Sequence, residues 1–128
     1  MGISTTQIRV LVVDDQKIVR DAARRLLECD PDVRVIGEAA DGIEAVGLAL
    51  RLQPDVIVMD IRMPKMNGLE ATSNIRELSP SICVILITAL AIEAYSDISR
   101  ICGASAFLSK EDLSAQLLTT VRRIVPVI

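Results

Sequence analysis

Residues 56–68 read VIVMDIRMPKMNG, an apolar run that ends in a carboxylate and is followed by turn-forming residues. The four apolar residues at 56–59 lack polar alternation, which predicts a strand covered on both faces, as in parallel sheets flanked by helices. Pro64 disfavours helix at Met63, and Asn67-Gly68 is a turn signal. Open α/β sheets bind ligands at the carboxyl ends of their strands. Asp60 is therefore the first candidate for a functional residue.

The length and charge of the chain limit the classes of protein to which it can belong. With 128 residues, 51% of them hydrophobic, it suits one domain with a substantial core. Its net charge of −3 argues against direct contact with DNA, because phosphate binding needs clustered Lys and Arg. The sequence ends on Val127-Ile128 directly after a predicted helix, so we expect a fragment of a longer protein.

The cysteines and the first residues bear on cellular location. Cys29, Cys83 and Cys102 are odd in number and scattered, in a sequence without His. This favours ordinary thiols in a reducing compartment over a metal or disulfide site. The sequence has neither a signal-peptide pattern nor an apolar run of membrane-spanning length. We therefore expect a cytoplasmic protein with no membrane partner.

Apolar runs and helical periodicity alternate five times along the chain, with short connections. This alternation predicts a doubly wound parallel α/β sheet. The second strand is expected to be a shorter one and, being more polar, to lie at the sheet edge. Asp41 with Glu44 fits a helix capping box, and Gly103 suits a helix C-cap. The strands are predicted at residues 8–13, 33–38, 56–60, 82–87 and 105–108, and the helices at 16–29, 41–52, 68–78, 91–102 and 111–125.

The first and last predicted helices have clear amphipathic patterns. In the first helix, charged residues that include Arg20 lie opposite the apolar face. The apolar face of the first helix is formed by Ile18, Val19, Ala22, Ala23, Leu26 and Leu27, and that of the last by Leu113, Leu117, Leu118, Val121 and Ile124.

Polar residues fall at, or just beyond, the ends of four predicted strands: Asp14, Asp15, Asp60, Thr88 and Lys110. In a parallel sheet these ends converge on one crevice. Two carboxylates about 5 Å apart repel by roughly 3 kcal/mol at an effective dielectric of about 20, so three together partly protonate unless cations intervene. Lys110 supplies one cation, and the oxygen ligands suit Mg²⁺.

Together these groups suit phosphoryl transfer. Asp60 would attack phosphorus in line, while Mg²⁺ and Lys110 neutralise charge on the equatorial oxygens. Because the pattern lacks a base that generates an attacking water, an acyl phosphate is expected to accumulate. Such a product suits a signal better than a turnover intermediate.

The order of these motifs resembles a known family, the receiver domains of bacterial two-component response regulators. The resemblance covers nearly the whole chain, and although each motif alone is weak, five in the right order are highly specific. Residues 60–71 and 14–16 are most similar to NarL/FixJ-type regulators of the LuxR class. The motifs are Asp14-Asp15, residues 60–64 (DIRMP), Asn67-Gly68, Thr88-Ala89 and residues 103–110 (GASAFLSK).

The resemblance implies a fold and a domain organisation. The fold is flavodoxin-like, (βα)5, with strand order 2-1-3-4-5 and helices on both faces of the sheet. Residues 1–128 would form one receiver domain. NarL/FixJ-type regulators usually carry a C-terminal helix-turn-helix domain, which is absent from this chain and through which alone the protein would contact DNA.

The resemblance also implies how the phosphoryl group is accepted. Asp60 would receive it from a sensor histidine kinase. Asp15, Asp60 and the backbone carbonyl of Arg62 would hold Mg²⁺, with Asp14 assisting through water. Lys110 would pair with the bound phosphoryl group.

A switch is implied as well. Thr88 would hydrogen-bond the phosphoryl group, and Phe107 would turn inward when Thr88 moves. The output face would comprise the fourth helix, fifth strand and fifth helix. Dimerisation on phosphorylation is left open, since the fifth helix can serve as an interface or as a docking face.

Two residues depart from the family pattern. Glu111 follows Lys110 where many receivers have proline, so the cis-proline that often shapes this loop is absent. Phe107 replaces the more frequent tyrosine and has no hydroxyl group. Its inward state can therefore rest only on packing.

Simpler interpretations exist for each residue taken alone. Asp14 and Asp15 are suited to cap the first helix, which is a common role of aspartate. Thr88 fits a turn hydroxyl, Phe107 a core position and Lys110 a solvated surface. Their combination favours the functional interpretation.

Two other functions fit parts of the pattern. A phosphohydrolase of the haloacid-dehalogenase type also uses a strand-end Asp and Mg²⁺, but it needs a second Asp two residues later, where this chain has Arg62. A degenerate receiver that serves only as an interaction module is disfavoured by the intact acidic triad, Thr88 and Lys110. We predict a phosphorylation switch and not a turnover enzyme.

Overall fold

A parallel five-stranded sheet forms the centre of the molecule. The computed structural model describes residues 7–89 and 102–125. The strand order is β2-β1-β3-β4-β5 and all neighbouring pairs are parallel, which confirms the doubly wound α/β fold. The strands are β1 (Ile8–Val13), β2 (Val33–Ala39), β3 (Val56–Asp60), β4 (Cys83–Thr88) and β5 (Ala106–Ser109).

Helices connect the strands. A 3-10 helix, Lys110–Asp112, separates β5 from the final helix, which begins two residues later than the sequence predicted. The predicted helix at 91–102 lies outside the described residues except for Cys102. Gly103 has φ +91°, as its predicted C-cap position requires. The α-helices are α1 (Lys17–Glu28), α2 (Gly42–Leu52), α3 (Gly68–Leu78) and the final helix (Leu113–Ile124).

Each face of the sheet packs against its own helices. One apolar cluster joins the sheet to α1 and the final helix, through side chains such as Leu27 and Leu117. The other joins it to α2 and α3, through Ala45 and Ile75. Because β3 is buried at all five positions, it is the strand most completely enclosed by these layers.

Strand β2 is at the edge of the sheet, as predicted, but the expectation that it is a shorter strand was wrong. It has seven residues, whereas β1 has six. The pairing steps from Val10–Val35 to Leu11–Gly37, so Ile36 is an extra residue in a bulge. The sequence pattern does not reveal such an insertion.

The helix starts differ in how they are capped. Asp41 accepts a hydrogen bond from the Glu44 amide at 2.8 Å, as the capping box predicts. The Glu44 carboxylate, however, accepts from the Ala40 amide rather than from that of Asp41. Asn67 caps α3 by accepting from the Glu70 amide at 2.8 Å. The turn signal at Asn67-Gly68 is therefore a helix start.

The apolar face of α1 is only partly covered. Ala23 and Leu27 are buried, but Ile18 is 75% exposed and Ala22 is also exposed. In the final helix, Leu117 and Val121 are buried, as its predicted stripe indicates. Across residues 7–89 and 102–125, no helix is long and apolar enough to span a membrane.

Candidate functional site

The carboxyl ends of four strands bring the predicted site residues to one edge of the sheet. Asp14 follows β1, Asp60 ends β3 and Thr88 ends β4. Lys110 follows β5 directly. Because β3 lies between β1 and β4, Asp60 is central in this row.

Three carboxylates form a compact cluster at this edge. One oxygen each of Asp14, Asp15 and Asp60 lies within 4.8 Å of the others. Asp14 and Asp60 are 4% and 7% exposed, whereas Asp15 faces solvent. The cluster is thus open on the side of Asp15, and its donors are all hard oxygens of the kind that divalent cations such as Mg²⁺ prefer.

Asp14 is held by the backbone on both sides of its side chain. Its amide donates to the Ala39 carbonyl at 3.1 Å, and its Oδ1 accepts from the Gln16 amide at 2.9 Å. Its carbonyl oxygen accepts from Arg20 Nη1 at 2.8 Å. The N-cap of α1 is Gln16, so the interpretation of Asp14 and Asp15 as simple helix caps was wrong.

Burial makes the charged form of these acids unfavourable. Burial and, to a smaller extent, the negative charge of Asp14 raise the pKa of Asp60 to about 6, although Lys110 opposes both effects. Burial also raises the pKa of Asp14, although the hydrogen bond from the Gln16 amide favours its ionised form. Positive charge placed among these oxygens would relieve the cost of ionising them.

Lys110 supplies part of that positive charge. Its Nζ lies 3.8 Å from an oxygen of Asp14 and 3.8 Å from an oxygen of Asp60. These distances make ion pairs rather than hydrogen bonds, and the Lys110 side chain is 32% exposed. The ammonium group therefore has room to approach an anion bound at Asp60.

Thr88 and Phe107 lie on the same face of the sheet. Leu86 belongs to the apolar cluster that contains α2 and α3, and Thr88, two residues on, shares its side of β4. Phe107 pairs with Leu86 in the register of β4 and β5 and packs against the same cluster. Thr88 is buried and Phe107 is half-buried.

The backbone after Asp60 turns sharply. The Ile61 amide donates to the Ile87 carbonyl at 3.0 Å, and the Gly68 amide donates to the Ile61 carbonyl at 2.7 Å. Arg62 lies between these two anchors, in the loop of residues 61–67, and its side chain is exposed.

Sequence reasoning missed the contribution of Arg20. We predicted it on the charged, solvent-facing side of α1, but it bonds the Asp14 carbonyl and places Nε 2.9 Å from a Glu38 oxygen. No local sequence signal identifies the contact between Arg20 and Glu38. Glu38 belongs to β2, and it lies near Arg20 only because β2 is next to β1 in the sheet.

The chain matches known proteins along most of its length. Residues 10–122 match the family described as the response regulator receiver domain. The transcriptional regulatory protein LiaR of Bacillus subtilis is 41% identical over 116 residues, which cover 90% of this chain and 54% of LiaR. The chain thus spans about half the length of this curated relative.

Solved structures give the same picture. The receiver domain of NarL from Mycobacterium tuberculosis has a TM-score of 0.88 at 32% identity, with coverage of 93% of this chain and 96% of that domain. The response regulator domain of CheB from Thermotoga maritima has a TM-score of 0.88 at 36% identity, with coverage of 95% and 98%. The resemblance to NarL-type and LuxR-class regulators is thereby confirmed.

Proposed function

Since the chain belongs to the response regulator receiver domain family, we propose that it is a signalling switch in which Asp60 accepts a phosphoryl group from a sensor histidine kinase. The observation that carries this proposal is the position of Asp60. It is a buried carboxylate at a strand end, within 4.8 Å of two other carboxylates and 3.8 Å from Lys110.

The transfer makes one bond and breaks one. An oxygen of Asp60 bonds to phosphorus while the bond from phosphorus to the histidine nitrogen of the kinase breaks, which leaves an acyl phosphate on Asp60. Because the pKa of Asp60 is about 6, most molecules carry the ionised, nucleophilic form at pH 7. Lys110 would pair with the transferred group, and Thr88 would donate a hydrogen bond to it.

The acidic cluster suits Mg²⁺. Asp14, Asp15 and Asp60 offer only oxygen ligands, and burial of two of them favours a bound cation. Asp15, Asp60 and the backbone carbonyl of Arg62 would hold the ion, with Asp14 assisting through water. When bound, Mg²⁺ supplies positive charge that offsets the charge of the phosphoryl oxygens.

The response to phosphorylation would pass from Thr88 to Phe107. The two side chains share one face of the sheet, and Phe107 packs there against the apolar cluster that contains α2 and α3. A shift of Thr88 toward the phosphoryl group would open space for Phe107 to turn inward. The output face would include β5 and the final helix.

We also propose that the domain is not a turnover enzyme. Arg62, whose side chain is exposed, stands where a phosphohydrolase of the haloacid-dehalogenase type has its second aspartate. The domain would assist only its own phosphorylation and dephosphorylation.

The remainder of the protein would contain a helix-turn-helix domain that contacts DNA. LiaR, a transcriptional regulatory protein, is about twice as long as the matched region, which leaves room for an output domain of this kind. Phosphorylation would promote pairing of two copies of the protein through the output face. A cytoplasmic location is proposed because the histidine kinase draws its phosphoryl group from ATP inside the cell.

Intact mass after incubation with acetyl phosphate tests this function. One phosphoryl adduct is expected on the native chain with Mg²⁺, none without Mg²⁺, and none on Asp60→Asn. Asp21→Asn is the matched control, because Asp21 pairs with Lys17 on the surface of α1, and this substitution should leave the adduct intact. A folded native chain that gives no adduct would instead support a phosphorylation-independent interaction module.

A further inference from the structure

The first turn of α2 touches the loop that follows Asp60. The Gly42 amide donates to the Met66 carbonyl at 3.1 Å. A Cβ atom at Gly42 would lie 2.2 Å from the Met66 carbonyl oxygen and 2.7 Å from its carbonyl carbon. The Met66 Cβ atom is also 2.7 Å away, and because two of these three atoms belong to the backbone and the third is bonded directly to it, the loop itself would have to move.

The other end of this loop is fixed next to Asp60. A Cβ atom at Gly68 would lie 2.3 Å from the Asp60 carbonyl oxygen, so α3 also begins in close contact with the strand end. Residues 61–67 thus contact the sheet and α3 at one side and α2 at the other. Met66 and the Arg62 carbonyl therefore belong to one short segment that is held at both ends.

An ion pair supports the contact between α2 and the loop. Lys65 has φ +67°, a left-handed conformation that is uncommon for residues other than glycine. Its Nζ lies 3.6 Å from Asp41 Oδ2, while Asp41 Oδ1 caps α2. Because Lys65 is 67% exposed, this pair adds little to the contact, and the close approach at Gly42 is the stronger constraint.

We propose that Gly42 is a positioning residue for phosphorylation: its close contact with the Met66 carbonyl sets the loop of residues 61–67 so that Asp60 and the Arg62 carbonyl are placed for Mg²⁺ and the phosphoryl donor. The inference rests on the proposed function of Asp60. Gly42 touches neither reacting group and acts only through the loop.

The contact between Gly42 and Met66 and the binding of Mg²⁺ would be thermodynamically coupled. If closure of the contact between Gly42 and Met66 favours Mg²⁺ binding, Mg²⁺ binding must favour closure by the same factor. The Gly42 amide, which donates across this contact, reports closure through its rate of hydrogen exchange.

Two glycines of the same helix provide a matched test. Gly42→Ala brings a methyl group against the Met66 carbonyl, whereas Gly47 has no atom within 4 Å of the corresponding position. We expect Gly42→Ala to weaken Mg²⁺ binding about tenfold and to slow adduct formation from acetyl phosphate by a similar factor. Gly47→Ala should leave both unchanged.

Isothermal titration with Mg²⁺ and intact mass would be measured at a temperature at which circular dichroism shows each variant fully folded. A purely structural role would lower the melting temperature of Gly42→Ala but leave its Mg²⁺ affinity unchanged, and that result would overturn the inference. If the native chain itself neither binds Mg²⁺ nor forms an adduct, the proposed function fails and the inference fails with it.

Hydrogen exchange on the native chain decides the matter even if Gly42→Ala does not fold. Saturating Mg²⁺ should slow exchange of the Gly42 amide by about tenfold more than that of the Gly47 amide. Equal slowing at both positions would mean that Mg²⁺ stabilises the whole domain and that the contact has no special role.

Discussion

The floor of the site and its rim are built differently. The floor, formed by the ends of β1 and β3 with Asp14 and Asp60, is enclosed: β3 is buried at every position and β1 at all but Arg9. The rim, formed by β5 and Lys110, is not, because Leu108 is the single buried residue of β5. The carboxylates of the floor are thus held in fixed positions before phosphorylation. The residues of the rim, which would respond to phosphorylation, are less tightly packed.

Substitutions to alanine should lower the free energy of unfolding more on the floor than on the rim. Ile57→Ala, in the fully buried β3, is expected to lower the free energy of unfolding by about 4 kcal/mol. Phe107→Ala, at a half-buried position of β5, should lower it by about 2 kcal/mol despite the larger side chain. Urea unfolding followed by circular dichroism measures both, since the chain has no Trp. Equal losses would remove the distinction between floor and rim.

Asp60 makes the floor sensitive to pH. Its pKa in the folded chain is about 6, above the ordinary value of 3.8, so its charged form opposes folding. Its contribution is therefore close to zero below about pH 4, becomes increasingly unfavourable between pH 4 and pH 6, and is fully unfavourable above pH 6. Without Mg²⁺, Asp60→Asn should raise the free energy of unfolding at pH 7 by about 2 to 3 kcal/mol, and the gain should vanish below pH 4.

The control for this effect is an acid with the opposite shift. The hydrogen bond from Lys17 lowers the pKa of the exposed Asp21, so Asp21→Asn should slightly destabilise the chain at pH 7. Urea unfolding between pH 4 and pH 8 compares the two variants. A constant gain for Asp60→Asn across that range would contradict the raised pKa.

Lys110, on the rim, should contribute more to the rate of phosphorylation than to the free energy of unfolding. Lys110→Met removes the ammonium group 3.8 Å from Asp60, and adduct formation from acetyl phosphate is expected to slow by about tenfold. Lys17→Met, which removes an ammonium that is 75% exposed and pairs with Asp21, should leave the rate unchanged. Time courses of intact mass at saturating Mg²⁺ would show the difference. A rate unaffected by Lys110→Met would exclude Lys110 from the transfer step.

The placement of the site was predictable because it follows from where apolar runs stop. The runs before Asp14, Asp60 and Thr88 define strands whose carboxyl ends meet in any parallel sheet. The ends of β4 and β5 were each predicted one residue too early. Thr88 and Ser109 pair with each other and so extend both strands by one residue. This pairing depends on the register between β4 and β5, which the sequence does not show.

Features that depend on contacts between distant elements were not predictable. The bulge at Ile36 and the ion pair between Arg20 and Glu38 require the pairing of β1 with β2. The contact of Gly42 with Met66 requires α2 to lie beside the loop after β3. The exposure of Ile18 was likewise not predictable, because the helical periodicity of α1 does not report which of its apolar residues another element covers.

The position of the phosphoryl group can be read directly by chemical trapping. The native chain would be treated with acetyl phosphate and Mg²⁺ and then with borohydride, which reduces an aspartyl phosphate to homoserine, and its peptides would be sequenced by mass spectrometry. We expect homoserine at position 60 and nowhere else, and none when Mg²⁺ is omitted. Homoserine at position 14 or 15, with Asp60 unmodified, would contradict the assignment of Asp60 as the phosphoryl acceptor.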